Sequence, residues 1–158
     1  LRHVIYGGAP MRAARIREAQ EAFGPVLAAT YGQTEAPQIT TNLSSAELVH
    51  EENLASAGRP SLFTDVGIMN EAGDQGEVVV RGDLLMTGYF NMPDETAKTI
   101  RDGWLHTGDL GVFDDRGHLF LRDRLREVII TGGFNVYPSD VEIVLSQHPA
   151  IAECAVIG

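Results

Sequence analysis

The sequence predicts an α/β fold joined to a β-rich, distorted barrel-like part. Three observations predict it. Two short apolar runs flank a helical stretch near the start, the arrangement of a parallel α/β layer. Between about 56 and 121 the chain becomes dense in glycine and in short alternating segments, which read as hairpins. Past 128 it returns to strand, turn and helix. The 158 residues suffice for an ordinary domain with its own core.

The elements follow in order. Val4-Ile5-Tyr6 is a short strand stopped by Gly7-Gly8. Residues 10–23 read as a helix, with Pro10 near its first position and Gly24-Pro25 ending it, the usual asymmetry of proline and glycine at helix ends. Residues 26–30 form the second strand. Segments 65–69 and 77–81 flank Glu71-Ala72-Gly73-Asp74-Gln75-Gly76, a hairpin with a longer loop. Residues 93–100 form a short helix that Asn91 or Asp94 can cap. Strands at 111–113 and 118–121 are joined by the turn Asp114-Asp115-Arg116-Gly117. Residues 128–131 are a strand and Gly132-Gly133 a turn. Ser139 is expected to open a helix, with Glu142 completing a capping box and Val141, Val144 and Leu145 on the apolar face. His148-Pro149 ends it, and 151–157 reads as a last strand. A helix and a strand with nothing after them cannot enclose a core. The expected division is therefore 1–55 as the α/β portion, 56–125 as the β-rich portion, and 126–158 as the start of a second domain.

Composition narrows the function classes. Hydrophobic residues make up 44% and charged residues 22%, a globular balance. No run approaches the roughly 18 apolar residues of a membrane helix. The net charge of −10 argues against general nucleic-acid binding, which needs a basic field. It leaves a phosphate ligand open, because local donors override the global sign. The single cysteine, Cys154, excludes an internal disulfide and fits a reducing cytoplasm. In its apolar stretch it reads as a small buried residue rather than a nucleophile. The five histidines show no metal-ligand spacing. The start lacks a signal-peptide pattern, the first residue is not Met, and both ends fall in strand-like runs. The chain is thus expected to be an internal piece of a longer cytoplasmic protein.

Three segments carry residue types suited to nucleotides. Tyr31-Gly32-Gln33-Thr34-Glu35 follows an apolar strand, where α/β folds bind ligands. Thr34 offers a hydroxyl to a phosphate and Glu35 a hard oxygen to Mg²⁺. The same five residues also fit a plain turn with a helix-capping threonine. Trp104-Leu105-His106-Thr107-Gly108-Asp109 places an acid after a glycine, either to accept ribose hydroxyls or simply to make a turn. In an extended Arg122-Asp123-Arg124-Leu125-Arg126, the three arginines share one face. They either neutralise phosphate or form a solvated charged surface.

In this order, the motifs resemble one family. Tyr31-Gly32-Gln33-Thr34-Glu35 comes first, then Gly88-Tyr89-Phe90-Asn91 with its short helix. Asp102-Gly103-Trp104-Leu105-His106-Thr107-Gly108-Asp109 follows. Asp123-Arg124 then leads, after three residues, into Val128-Ile129-Ile130-Thr131-Gly132-Gly133-Phe134-Asn135-Val136-Tyr137-Pro138. Together they resemble the adenylate-forming superfamily of acyl-CoA synthetases, peptide-synthetase adenylation domains and beetle luciferases, over nearly the whole chain. The resemblance implies the end of the large AMP-binding domain followed by a hinge and the start of the small domain. It implies that Gly7, Gly8 and Ala9 lie along the adenine and the acyl pocket, with Tyr31 beside adenine and Gly32 a pocket wall. Thr34 is implied as the phosphate contact, Glu35 as the Mg²⁺ ligand, and Asp109 and Arg124 as the ribose contacts. Gly132 and Gly133 match the loop that lines the pantetheine tunnel, and Arg126 falls at the hinge, where Asp or Lys is commoner. Asp123 replaces a frequent glycine.

The implied reaction converts a fatty or aromatic carboxylic acid, with ATP and Mg²⁺, to an acyl-adenylate and then to a thioester, releasing AMP and pyrophosphate. The Gly132–Pro138 loop resembles the version that accepts coenzyme A. A carrier-protein phosphopantetheine is the alternative acceptor, and a luciferase-like oxygenase a more distant one. The family's phosphate loop is expected before Leu1 and its catalytic lysine after Gly158. Lys98 is the only lysine and matches neither, so these residues alone are expected to be a catalytically inert piece.

Overall fold

The computed structural model describes residues 1–69, 75–132 and 134–158. β1 (Val4–Gly7) and β2 (Leu27–Gln33) pair in parallel, from Val4↔Leu27 to Gly7↔Thr30. α1 (Ala13–Phe23) makes the crossover. It starts three residues later than proline placement predicts, because Arg12 is still extended. Gly24 closes it at φ 80°, a conformation that glycine adopts without steric cost.

The chain then doubles back. β3 (Ala36–Leu43) pairs antiparallel with β2, and β4 (Arg59–Pro60) with β3. β3 shows no apolar alternation, because its buried positions include Thr40 and Thr41. Their hydroxyls are satisfied by the carbonyls of Ala36 and Ala57, which makes burial tolerable. α2 (Ser45–Leu48) starts with a capping box formed by Ser44 and Glu47. Ile16, Leu27, Ala29, Leu43, Leu48 and Leu54 close the core between α1, the sheet and α2.

The second sheet holds β5 (Asp65–Met69), β6 (Gly76–Arg81), β7 (Ile100–Arg101), β8 (Trp104–Phe113) and β9 (Leu119–Arg124). Its order is β5-β6-β8-β7, with β9 also on β8. α3 (Pro93–Thr99) precedes β7 and is capped by Met92 without a side-chain bond, rather than by Asn91 or Asp94. Most of the expected loop at 71–76 lies outside the described residues. β8 corrects the expectation of a turn at Gly108-Asp109 and a strand from 111: it is one ten-residue strand. Gly108 sits inside it at φ 73°, and the register against β6 and β9 shifts nearby. Bulges absorb an unusual φ without ending a strand, and they bend it, so this sheet curls into a half-barrel. Val80 and Leu105 pack there against Ala36 of β3.

The two sheets share a seam. Ala57 N–H donates to the Leu119 carbonyl and Leu119 N–H to the Gly58 carbonyl, both at 2.8 Å. Gly58 has φ 90°, and a Cβ there would overlap the Asn42 carbonyl.

β10 (Ile129–Thr131) and β11 (Phe134–Val136) form a two-stranded ribbon before α4 (Pro138–Leu145). The capping box expected at Ser139 and Glu142 does not form. Tyr137 is the N-cap residue, while Ser139 Oγ donates to the Arg122 carbonyl at 2.7 Å and Glu142 Oε1 accepts from Val156 N–H at 2.9 Å. Tertiary partners have taken both side chains. Residues 151–157 form no strand, and Val144 and Ile157 remain exposed. Among the described residues, no helix is long and apolar enough to cross a membrane.

Candidate active site

Gly7 ends β1 directly beside Thr30. A Cβ on Gly7 would stand 2.7 Å from both the carbonyl oxygen and Oγ1 of Thr30, so the close strand approach requires glycine. Gly8 follows at φ 81° with open space around it, and Ala9 is exposed. One residue past Thr30, the Tyr31 hydroxyl donates to Asp109 Oδ2 at 2.7 Å. This bond joins β2 to β8 across 78 residues of sequence. Burial holds the Tyr31 phenol protonated well above its ordinary range, and the Asp109 charge adds to the effect. Asp109 and Arg124 are directly opposed on β8 and β9. Arg124 Nε lies 3.3 Å from Asp109 Oδ1. Two of the expected residues, Tyr31 and Arg124, thus converge on the carboxylate of a third, Asp109.

Gly32 lies where the β2–β3 register shifts. Gln33 Nε2 donates to the Thr107 carbonyl at 3.4 Å, a second tie between the sheets. Thr34 and Glu35 form the tip of the β2–β3 hairpin, between the paired residues Gln33 and Ala36. Thr34 is exposed. Glu35 Oε1 accepts the Tyr89 hydroxyl at 2.7 Å, and its carbonyl accepts Met86 N–H at 2.8 Å. The bond to Glu35 raises the Tyr89 pKa, and burial adds to it. A groove of about 510 Å³ passes Tyr89 toward Ile100. Another, of about 400 Å³ between Ile39 and Phe63, contains none of the expected residues.

Arg126 sits in an exposed turn after β9. Gly132 turns the β10–β11 ribbon at φ 57°, and Gly133 lies outside the described residues. No hydrogen bond or ion pair among the described residues links Arg126 or Gly132 to Asp109. Lys98 pairs with Glu95 at 2.6 Å on α3. Among the described residues, no three His, Cys, Asp or Glu side chains cluster as a metal cage. Tyr89 and Gln33 appear within the sequence motifs without a role. Their side-chain partners are 54 and 74 residues away, and no local pattern announces such contacts.

A family profile described as AMP-binding enzyme matches residues 1–90. The chain is 46% identical over 165 residues to a medium/long-chain-fatty-acid–CoA ligase, FadD8, of Mycobacterium tuberculosis, covering 100% of this chain and 28% of that one. It superposes on the o-succinylbenzoate coenzyme A synthetase of Bacillus subtilis in complex with ATP and magnesium ion with TM-score 0.88 and 37% identity, over 99% of this chain and 34% of that one. The amide bond synthetase McbA from Marinactinospora thermotolerans superposes with TM-score 0.90 and 41% identity, over 100% and 33%. The chain spans about a third of the length of the relatives it matches.

Proposed function

The chain belongs to the AMP-binding enzymes, and on that premise we propose that the complete protein is an AMP-forming acyl-CoA synthetase. The observation that carries this reading is the meeting of Tyr31, Asp109 and Arg124. The Asp109 carboxylate has about four lone-pair sites. Tyr31 uses one and Arg124 approaches another, which leaves acceptors for the two ribose hydroxyls. The Tyr31 ring would lie beside adenine, with Gly7, Gly8 and Ala9 along its edge and Gly32 at the acyl pocket.

A carboxylate oxygen of the acid attacks the α-phosphorus of ATP, and the bond to pyrophosphate breaks. The thiol of coenzyme A then attacks the acyl carbon, AMP leaves, and the thiol proton is released. Most of the catalysis is positioning and charge compensation. Thr34, exposed at the hairpin tip, offers its hydroxyl to a phosphate oxygen. Glu35 supplies a hard carboxylate oxygen that suits Mg²⁺. Bound Mg²⁺ neutralises phosphate charge. The acid pocket and further cationic groups are expected from sequence outside these residues, so the piece alone would be inert. Residues from Arg126 onward are read as the hinge and the start of the small domain, with Gly132 and Gly133 lining the thiol's approach. The unpaired Cys154 and the need for ATP and coenzyme A favour a cytoplasmic location.

The likeness to an amide bond synthetase favours one second reading, in which an amine accepts the acyl group. The test incubates the complete protein with Mg·ATP and a panel of fatty and aromatic acids. Coenzyme A, an amine or a phosphopantetheinylated carrier protein serves as acceptor. Acid-dependent pyrophosphate release with AMP and a CoA thioester is expected. Amide or carrier-bound product instead would reassign the acceptor, and ADP formation or acid-independent turnover would overturn the reading.

A further inference from the structure

The bulge that carries Asp109 is held by side chains with no assigned role. Between the pairs Val79↔His106 and Glu77↔Leu110, β6 contributes Val78 alone, while β8 contributes Thr107, Gly108 and Asp109. Alternation along β8 is broken there, and Asp109 and Leu110 are both buried. Such a bulge leaves backbone groups without ladder partners, and buried orphans are costly. Each is met. Glu77 Oε1 accepts Gly108 N–H at 3.0 Å. Thr107 Oγ1 donates to the Val78 carbonyl at 2.7 Å and accepts Asp109 N–H at 3.1 Å. The Gly108 carbonyl accepts Leu125 N–H at 2.8 Å, which ties the bulge to the turn after Arg124.

Glu77 is mostly buried, with 17% of its side chain exposed. Its second oxygen lies 2.7 Å from His106 Nδ1. Arg101 also approaches that nitrogen, at 2.5 Å, but Nδ1 serves only one of the two. The tautomer with its proton on Nδ1 lets His106 donate to the buried carboxylate, and Arg101 completes the cluster 3.8 Å from Glu77 Oε2.

We infer that Glu77, together with Thr107, is a positioning residue that clamps the Thr107–Gly108–Asp109 bulge and so aims the Asp109 carboxylate at the ribose. The inference rests on the reading of Asp109 given above. Neither residue touches substrate. Each acts through the backbone on either side of Gly108.

The experiment compares Glu77→Leu, Glu77→Gln, Thr107→Val and Asp109→Ala in the complete enzyme, with KM for ATP, KM for the acid and kcat measured separately. Losing one hydrogen bond to a charged acceptor should raise the ATP KM about tenfold in Glu77→Leu and leave the acid KM within about twofold. Glu77→Gln keeps an acceptor for Gly108 N–H and should restore most of the loss. Thr107→Val keeps the side-chain shape and carries the same expectation as Glu77→Leu, which covers the case in which Glu77→Leu does not fold. If Asp109→Ala raises the ATP KM while folded Glu77→Leu or Thr107→Val leaves it unchanged, or raises both KM values alike, the clamp is wrong and the ribose reading stands. If Asp109→Ala itself has no effect, the ribose reading is what fails.

Discussion

Replacing Asp109 with alanine should weaken ATP binding by roughly ten- to a hundredfold. The magnitude comes from counting acceptors. Tyr31 holds Oδ2 at 2.7 Å and Arg124 Nε stands 3.3 Å from Oδ1, so about two of four lone-pair sites remain for ribose. A hydrogen bond to a charged group contributes about 1.5–3 kcal/mol net, and about 1.4 kcal/mol is one factor of ten. Water competes little, because only 11% of the carboxylate side chain is exposed. The substitution has a second cost. It strips the Tyr31 hydroxyl of its acceptor inside a half-buried contact, and an orphaned buried donor costs about 1–3 kcal/mol of stability. Tyr31→Phe/Asp109→Ala removes donor and acceptor together. It should regain part of the lost stability and none of the lost affinity, so the double-mutant comparison separates folding from binding. Titration calorimetry of ATP into the complete protein, alongside thermal melts, reads both. An Asp109→Ala protein that melts normally and binds ATP as well as the parent would refute the reasoning.

Three further outcomes are expected. Tyr89→Phe removes the 2.7 Å donor that holds the Glu35 carboxylate in place, and the loosened carboxylate should raise the Mg²⁺ concentration for half-maximal activity about two- to fivefold. An unchanged Mg²⁺ dependence would separate Glu35 from the metal. Gly58→Ala forces a Cβ into the Asn42 carbonyl at φ 90° and should cost more than about 3 kcal/mol. A melting temperature within a degree or so of the parent would contradict the described seam. The raised Tyr31 pKa predicts alkaline behaviour. Below the ordinary value of 10.0 the phenol is protonated in folded and unfolded chains alike, and its contribution is intact. Above it the unfolded chain ionises first, so stability should fall as pH climbs toward the raised folded value. Denaturant melts across that range should show a shallower fall in Tyr31→Phe. Tyr6 and Tyr89, also raised, keep their share of the slope.

The sequence was most readable where apolar runs meet strong punctuation. Val4-Ile5-Tyr6 before Gly7-Gly8 and the helix before Gly24-Pro25 correspond to β1 and α1. It was silent at β3, because Thr40 and Thr41 are buried through hydroxyl bonds rather than apolar character. It misplaced an end at Gly108, since a glycine inside a bulge looks locally like a glycine in a turn. It misassigned Ser139, whose bond to Arg122 lies 17 residues away. The same limit applies to the site. Motif order pointed to Tyr31, Asp109 and Arg124 as separate candidates, but the contact between Tyr31 and Asp109 depends on how two sheets meet. Glu77 was legible only as a member of a strand, because its work is done on the backbone of a neighbouring one.

The tie between β2 and β8 has a consequence for assembly. Its donor is made 78 residues before its acceptor, with β3 to β7 between them. Under the proposed function, a nascent chain cannot grip ATP until the second sheet has closed onto the first. Nucleotide would then act as a late lock on a finished scaffold, rather than as a template around which the scaffold condenses.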